Sequence, residues 1–282
     1  MNFLKKIFII IFLSKKTFKK PKKKKILIIN KDLSDFLKKY LKENYDIIDT
    51  RFHLFPSRQL NLYILLKCFL KKKFSFLDYV SEYIRHVQPK IIITLIDNDL
   101  LFYKLKIIFP KIKTIMIQNA LRTLQKEDIL SQSKILKKKN LAVDYYFCFN
   151  EAIGEKFKLF LNCAVVPIGS FRSNFHTKKI KKKKYDFLYI SVYRSHVKSA
   201  PEDIIFFKNL EKYLLKKNKT LTILGSQSFY PSEEYKFYNN IFKNVNLNFI
   251  ARSQKRNTYK ILDQSNISIN IDSTAGYESL SR

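Results

Sequence analysis

Ile267-Ser268-Ile269-Asn270-Ile271-Asp272-Ser273-Thr274-Ala275-Gly276-Tyr277-Glu278 reads as a short strand, Ile267 to Ile271, passing through a Ser/Thr/Gly turn into the start of a helix. Such a turn leaves unpaired backbone N–H groups and the positive end of a helix dipole facing one spot, which suits a phosphate. The sequence stops at Arg282, roughly one turn into that helix. Globular helices average about 11–12 residues, so the final domain is expected to lack its last elements.

Working outward, the same strand-then-helix beat recurs along the chain. The sequence predicts a buried-type strand at Ile26 to Ile29, a helix at Leu33 to Leu41, a strand at Asp46 to Asp49 and helical segments around Leu60 to Leu70 and Phe76 to Val87. Lys90 to Ile96, entered from Pro89, is the clearest strand. A helix at Leu100 to Phe109 closed by Pro110, strands at Thr114 to Ile117 and Asp144 to Phe149, a helix at Glu151 to Leu161 and a strand at Ala164 to Ile168 follow. After a lysine-rich stretch the rhythm restarts: strand Phe187 to Ile190, helix Pro201 to Lys217, strand Leu221 to Leu224 into Gly225, helix Glu233 to Phe242, strand Leu247 to Ile250 and helix Asn257 to Leu262.

Continuous apolar strands alternating with helices imply parallel sheets covered on both faces. The expected fold class is therefore α/β with two Rossmann-like domains, the C-terminal one truncated. The expected divisions are a basic amphipathic segment at 1–23, an N-terminal domain at 24–170, a basic linker at 171–184 and a C-terminal domain at 185–282. Two such domains would place a ligand cleft at the carboxyl ends of their strands. No GxGxxG or P-loop lysine motif is present, which argues against a dinucleotide site or an ATPase.

A hydrophobic content of 46% with 15% aromatics rules out disorder of the whole chain. The balance of 55 Lys+Arg against 23 Asp+Glu, a net +32, draws the protein toward polyanions: nucleic acid, anionic lipid or phosphorylated substrates. An AT-rich genome, signalled by abundant Ile, Lys, Asn, Phe and Tyr without Trp, inflates lysine as well. The first 25 residues nevertheless hold ten lysines and no acid. Met1 to Lys6 followed by Ile7 to Leu13 resembles the opening of a signal peptide, but no small-residue cleavage site follows, and the next stretch is strongly basic. The apolar run falls far short of the ~20 residues a membrane span needs. An interfacial helix on an anionic membrane surface and a frayed basic tail both remain open. Cys68, Cys148 and Cys163 show no metal or disulfide spacing and read as small buried hydrophobes. His53, His86, His176 and His196 form no metal pattern either, so no metal is expected.

Polar residues gather just past strand ends. Asp97 is the candidate catalytic base toward a substrate hydroxyl, with Asn98, Gln118, Asn119 and Arg122 on the acceptor side; Asp97 or Asn98 equally suits a helix N-cap. Gly169 permits an unusual turn before Arg172, which has the reach to hold a phosphate bidentately. Ser191 and Arg194 are its counterparts after the first C-domain strand, and Gly225 follows the next. A surface salt bridge is the alternative for either arginine. Ser273, Thr274 and the N–H groups near Gly276 would take a diphosphate and Glu278 a ribose hydroxyl. Glu278 would otherwise complement the helix dipole or close a capping box.

Lys90–Asn98 (KIIITLIDN), Phe102–Leu105 with Phe109-Pro110, Met116–Ala120 (MIQNA), Val166–Phe171 (VPIGSF), Ile190–Arg194 (ISVYR) and Ile271–Leu280 (IDSTAGYESL) together resemble bacterial surface-carbohydrate biosynthesis proteins. Those proteins are similar to glycosyltransferases of the two-Rossmann GT-B type and, in outline, to nucleotide-sugar 2-epimerases and polyglycerol-phosphate transferases. The resemblance places Ser273, Thr274, Gly276 and Glu278 on a donor diphosphate and ribose, and Asp97, Asn98, Gln118 and Asn119 on the acceptor side. Ala120 departs from the Gly such proteins carry after the Gln-Asn pair. The implied function is transfer of a sugar from a nucleotide-sugar donor to a glycan or lipid-linked acceptor, with the donor as substrate and no cofactor. The expected place is the cytoplasm, peripheral to the anionic inner-membrane surface. A nucleotide-sugar 2-epimerase and a non-catalytic basic membrane- or nucleic-acid-binding protein are the alternatives, nucleic acid being the less expected partner.

Overall fold

The computed structural model describes residues 14–31, 34–42, 44–50, 59–122, 129–132, 141–176, 182–193, 201–226, 231–253 and 257–282. The chain divides into two compact units, Met1–Phe175 and His176–Arg282.

The first unit carries a wholly parallel six-stranded sheet in the order β3-β2-β5-β6-β7-β8. These strands are β2 (Ile26–Ile29), β3 (Tyr45–Ile48), β5 (Ile91–Thr94), β6 (Lys113–Ile117), β7 (Ala142–Cys148) and β8 (Asn162–Pro167). Side chains alternate across the pleat, so Leu27 and Ile29 enter one core and Ile28 the other. That double burial is why Ile26-Leu27-Ile28-Ile29 is apolar without a break. Helices α1 (Ser34–Leu41), α2 (Leu62–Leu70), α3 (Phe76–Val87), α4 (Leu100–Ile108), α5 (Glu151–Lys158) and α6 (Phe171–Phe175) belong to this unit. Among them α3 is the best specified locally, since Ser75 and Asp78 form a reciprocal capping box at its start.

Two features of the first unit depart from expectation. Lys15–Thr17 is a strand, β1, paired in parallel with β4 (Gln59–Asn61), while Ser14 is buried and Asn61 Nδ2 donates to the Lys19 carbonyl at 2.9 Å. The basic stretch after residue 13 is thus woven into the unit. Phe171–Phe175 is helical where a connector was expected, its first turn held by Ser170 Oγ accepting from Ser173 N–H at 3.1 Å.

The second unit holds a parallel four-stranded sheet, β11-β10-β9-β12, made of β9 (Tyr185–Ile190), β10 (Leu221–Leu224), β11 (Leu247–Ile250) and β12 (Ser265–Ile269). Helices α7 (Pro201–Lys216) and α8 (Pro231–Ile241) cover one face through Phe207, Leu214 and Tyr238. Helices α9 (Thr258–Asp263) and α10 (Thr274–Ser279) lie against Leu188, Ile190 and Leu224 on the other. β12 starts two residues earlier than its alternating sequence suggested, because Ser265 pairs with Tyr185. Asn270 and Ile271 therefore leave the sheet and join the following loop. Among the described residues no helix is long and apolar enough to cross a membrane.

Candidate functional site

In an open parallel sheet, ligands bind beyond the carboxyl ends of the strands where the strand order reverses. The first unit reverses between β2 and β5, which brings the loops after Ile29 and Thr94 together. Asp97 lies in the second of these loops and is wholly buried. Arg122 grips both of its oxygens: Nε donates to Oδ2 at 2.8 Å and Nη2 to Oδ1. Tyr103 O–H donates to the Asp97 backbone carbonyl. Burial, with the Asp97 charge next in weight, drives the Tyr103 hydroxyl far above the usual phenol range, so it stays a neutral donor. A general base needs an oxygen that can reach the acceptor proton. Asp97 instead has both oxygens committed, and the geometry makes it the anchor of Arg122. The helix-capping alternative falls to Asp99, whose side chain accepts from Leu101 N–H at 3.0 Å.

Gln118 is likewise turned inward. Its Nε2 donates to the Ala120 carbonyl at 2.8 Å and its Oε1 accepts from Phe149 N–H at 2.7 Å, tying the ends of β6 and β7 together. Asn98 is exposed. Asn119 differs from its neighbours, for its Oδ1 is buried without a hydrogen-bond partner among the described residues. The same is true of Arg172 Nε, whose guanidinium lies 6.0 Å from the centre of the Phe36 ring. Burying a polar atom unpaired costs about 1–3 kcal/mol, so these two atoms, which follow β6 and β8, are candidates for contact with a polar ligand. Gly169 has φ +70°, as the turn before Arg172 required.

The second unit reverses between β9 and β12, bringing the loops after Ile190 and Ile269 together. Ser191, first in one of them, is buried and donates to Glu234, with the Tyr238 hydroxyl 2.9 Å from its Oγ. Glu234, fully buried at the start of α8, also accepts from Ser226 N–H at 2.8 and 3.1 Å. Gly225 is pinned beneath this loop: a Cβ there would lie 2.8 Å from Phe249 Cζ and 3.2 Å from Glu234 Oε2. Ser191 and Gly225 thus fix the starts of the two loops. Arg194 lies outside the described residues.

In the opposing loop Ser273 N–H faces Asn270 Oδ1 at 3.4 Å, and the Ser273 hydroxyl makes no capping bond at the start of α10. Gly276 is packed so tightly on Asn270 that a Cβ would fall 2.0 Å from its Cγ. Thr274 is half-buried at the first position of α10. Glu278 is buried and accepts from Tyr259 O–H at 2.9 Å. That hydroxyl sits in a cluster in which Arg282 clasps Asp263 at 2.7 and 2.5 Å, lies 5.2 Å above the Tyr259 ring and donates to the His176 carbonyl at 2.8 Å. Sequence reading missed Glu234, Asn270 and the Asp263–Arg282 pair. Two adjacent acids, Glu233 and Glu234, opening the helix after a Gly-Ser loop were the available signal for the first.

None of the three cysteines is in a disulfide, and Cys68 and Cys148 are buried in the core. Among the described residues no group of three or more His, Cys, Asp or Glu stands close enough to hold a metal ion.

A family model described as "putative O-antigen biosynthesis protein" matches residues 115–214 and 200–282. No curated protein matches by sequence. Among solved structures, a glycosyltransferase from Rickettsia africae superposes with a TM-score of 0.50 at 12% identity, covering 89% of this chain and 73% of that one. A UDP-GlcNAc 2-epimerase from Neisseria meningitidis gives 0.49 at 11% identity (87% and 76% covered), and MurG from Acinetobacter baumannii 0.47 at 7% (93% and 76%). The first of these likenesses is one of fold.

Proposed function

The chain belongs to the O-antigen biosynthesis protein family, and from that membership we propose that it is a glycosyltransferase of surface-polysaccharide assembly. In this reading a nucleotide sugar binds the second unit, and a glycan or lipid-linked acceptor binds the first at the cytoplasmic face of the inner membrane. The observation that carries it is the β9/β12 reversal. There Ser191, at the end of β9 and held by Glu234, neighbours the segment that leaves β12, whose Ser273 hydroxyl is not spent on capping.

The donor diphosphate would take the Ser273 hydroxyl and backbone N–H groups of both loops, with Arg194 adding charge. Arg172 and Asn119, each carrying an unpaired buried atom in the first unit, would meet polar groups of the acceptor side together with exposed Asn98. Arg122, held in place by both Asp97 oxygens, would stand on the acceptor side with them. A fold shared with a solved glycosyltransferase supports the reading without fixing its chemistry.

The test is a thermal-shift screen against UDP-, CMP-, CDP- and GDP-sugars, followed by product analysis with the stabilising donor. A ligand that binds only the native state raises Tm. One nucleotide class is expected to do so, and Asn119→Ala is expected to cut turnover while leaving Tm in place. Epimerised donor formed without acceptor would replace the reading with the 2-epimerase alternative. Tight salt-sensitive binding to arbitrary nucleic acid with no donor response would remove both.

A further inference from the structure

Helix α2 is apolar at every position but Lys67. Ile64 and Cys68 face the core, while Leu65, Leu66, Phe69 and Leu70 stand exposed, Phe69 at 65% and Leu70 at 66%. A helix of this kind is ordinarily covered on both sides. Phe74, 74% exposed, sits edge-on to Phe69 at 6.0 Å, and exposed Phe76 extends the face. At the other end Phe18, just past β1, is edge-on to Tyr63 at 6.3 Å. Each Phe carries ~150–250 Å² of side-chain surface, so the face presents on the order of 500 Å² of apolar area, in the upper part of the ~300–600 Å² range of a monomer's largest patch, which is often functional.

The rim is cationic. From Leu62 to Leu77 the sequence has Lys67, Lys71, Lys72 and Lys73 and no acid. Lys71 pairs with buried Glu82 at 2.7 Å, whereas no carboxylate of the described residues is within ion-pair distance of Lys67, Lys72 or Lys73. Exposed Lys15, Lys16, Lys19, Lys20 and Lys22 approach from the β1 side, which Asn61 ties to the start of α2. Two copies meeting through this face would bring like-charged rims together. An anionic bilayer meets both demands at once, an apolar interior and phosphates at its border.

We propose that this face is a membrane-docking surface, on which Phe69, Leu70 and Phe74 enter the headgroup–acyl boundary while Lys67, Lys72 and Lys73 engage lipid phosphates. The inference deepens the membrane side of the proposed function, but it is measured without donor or acceptor, so either can fail alone. Full-length protein is sedimented with phosphatidylcholine vesicles, plain or containing roughly a third phosphatidylglycerol. Pelleting is expected with the anionic vesicles only, weakening as salt rises. The F69S/L70S/F74S variant, altered only at exposed positions, is expected to lose about tenfold or more in binding with unchanged circular dichroism and Tm. K67Q/K72Q/K73Q is expected to bind more weakly and with less salt dependence. Because the chain has no tryptophan, Phe69→Trp supplies a single fluorophore whose emission should shift to the blue on anionic vesicles. A folded F69S/L70S/F74S protein that binds as well as the parent, or a Phe69→Trp emission that stays put while the protein pellets, overturns the proposal. So does a triple variant that changes only self-association.

Discussion

Asp97 shows how a side chain's partners decide what it can do. A carboxylate at a strand end invites reading as a base, yet Arg122, twenty-five positions away in sequence, takes both of its oxygens in a buried pair. Removing one member of such a pair leaves an uncompensated charge, at about 3–5 kcal/mol. Asp97→Ala is therefore expected to lower unfolding stability by that amount, measured by urea titration, with activity falling alongside. A variant that lost turnover yet kept its urea midpoint would restore Asp97 as the base. His176 makes a second residue-scale prediction. Burial first, and then the nearby Arg282 charge, hold its imidazole below the usual range, with Asp263 opposing. The folded protein thus resists protonation there, so the His176 contribution is complete above the unfolded value of ~6.5 and is lost as pH falls through the lower folded one. His176→Gln should flatten the stability profile below pH ~6.5, and an unchanged slope would count against the assignment.

At the scale of elements, legibility followed the range of the interaction that fixes each one. Helix α3 could be read residue for residue, because Ser75, Asp78 and the apolar spacing are all local. β1 and β4 could not, being three residues each and joined across more than forty residues of chain. β12 was legible as a strand but not in register, since Ser265-Asn266-Ile267-Ser268-Ile269-Asn270-Ile271 alternates whichever end is chosen, and only β9 picks Ser265. That two-residue slip matters to the site, because it delivers Asn270 to the loop where Gly276 packs on it. Strand-end positions such as Asn119 and Ser273 were legible for the same reason the strands were. The inward commitments of Gln118, Ser191 and Glu278 were not, each depending on a partner from another element. Gly276→Ala would drive a methyl into Asn270 and should cost about 1–3 kcal/mol. It is also expected to abolish the donor-induced rise in Tm, and a retained rise would separate this loop from donor binding.

Across the whole molecule, both units are wound on parallel sheets, and in each the order of strands turns back once. If the second unit alone takes the donor, hydrogen exchange in the presence of nucleotide sugar should slow at 191–193, 225–226 and 270–278 while the first unit's loops keep their rates. Equal protection in both units would require a second donor contact. The net charge of +32 bears on association and not on fold. It was visible from the start, whereas the apolar face beside it emerged only when α2 showed which of its leucines and phenylalanines the core had left outside.

The neighbours of β9 are made at very different times. β10 follows it by one crossover, but β12, which closes its other side, is the last of the four described strands to leave the ribosome. At translation speeds of ~5–20 residues per second, a nascent chain must hold the unpaired edge of Tyr185–Ile190, apolar and aromatic, for several seconds. Holdase chaperones should therefore engage the half-synthesised second lobe, and β12 is the latch that ends their hold.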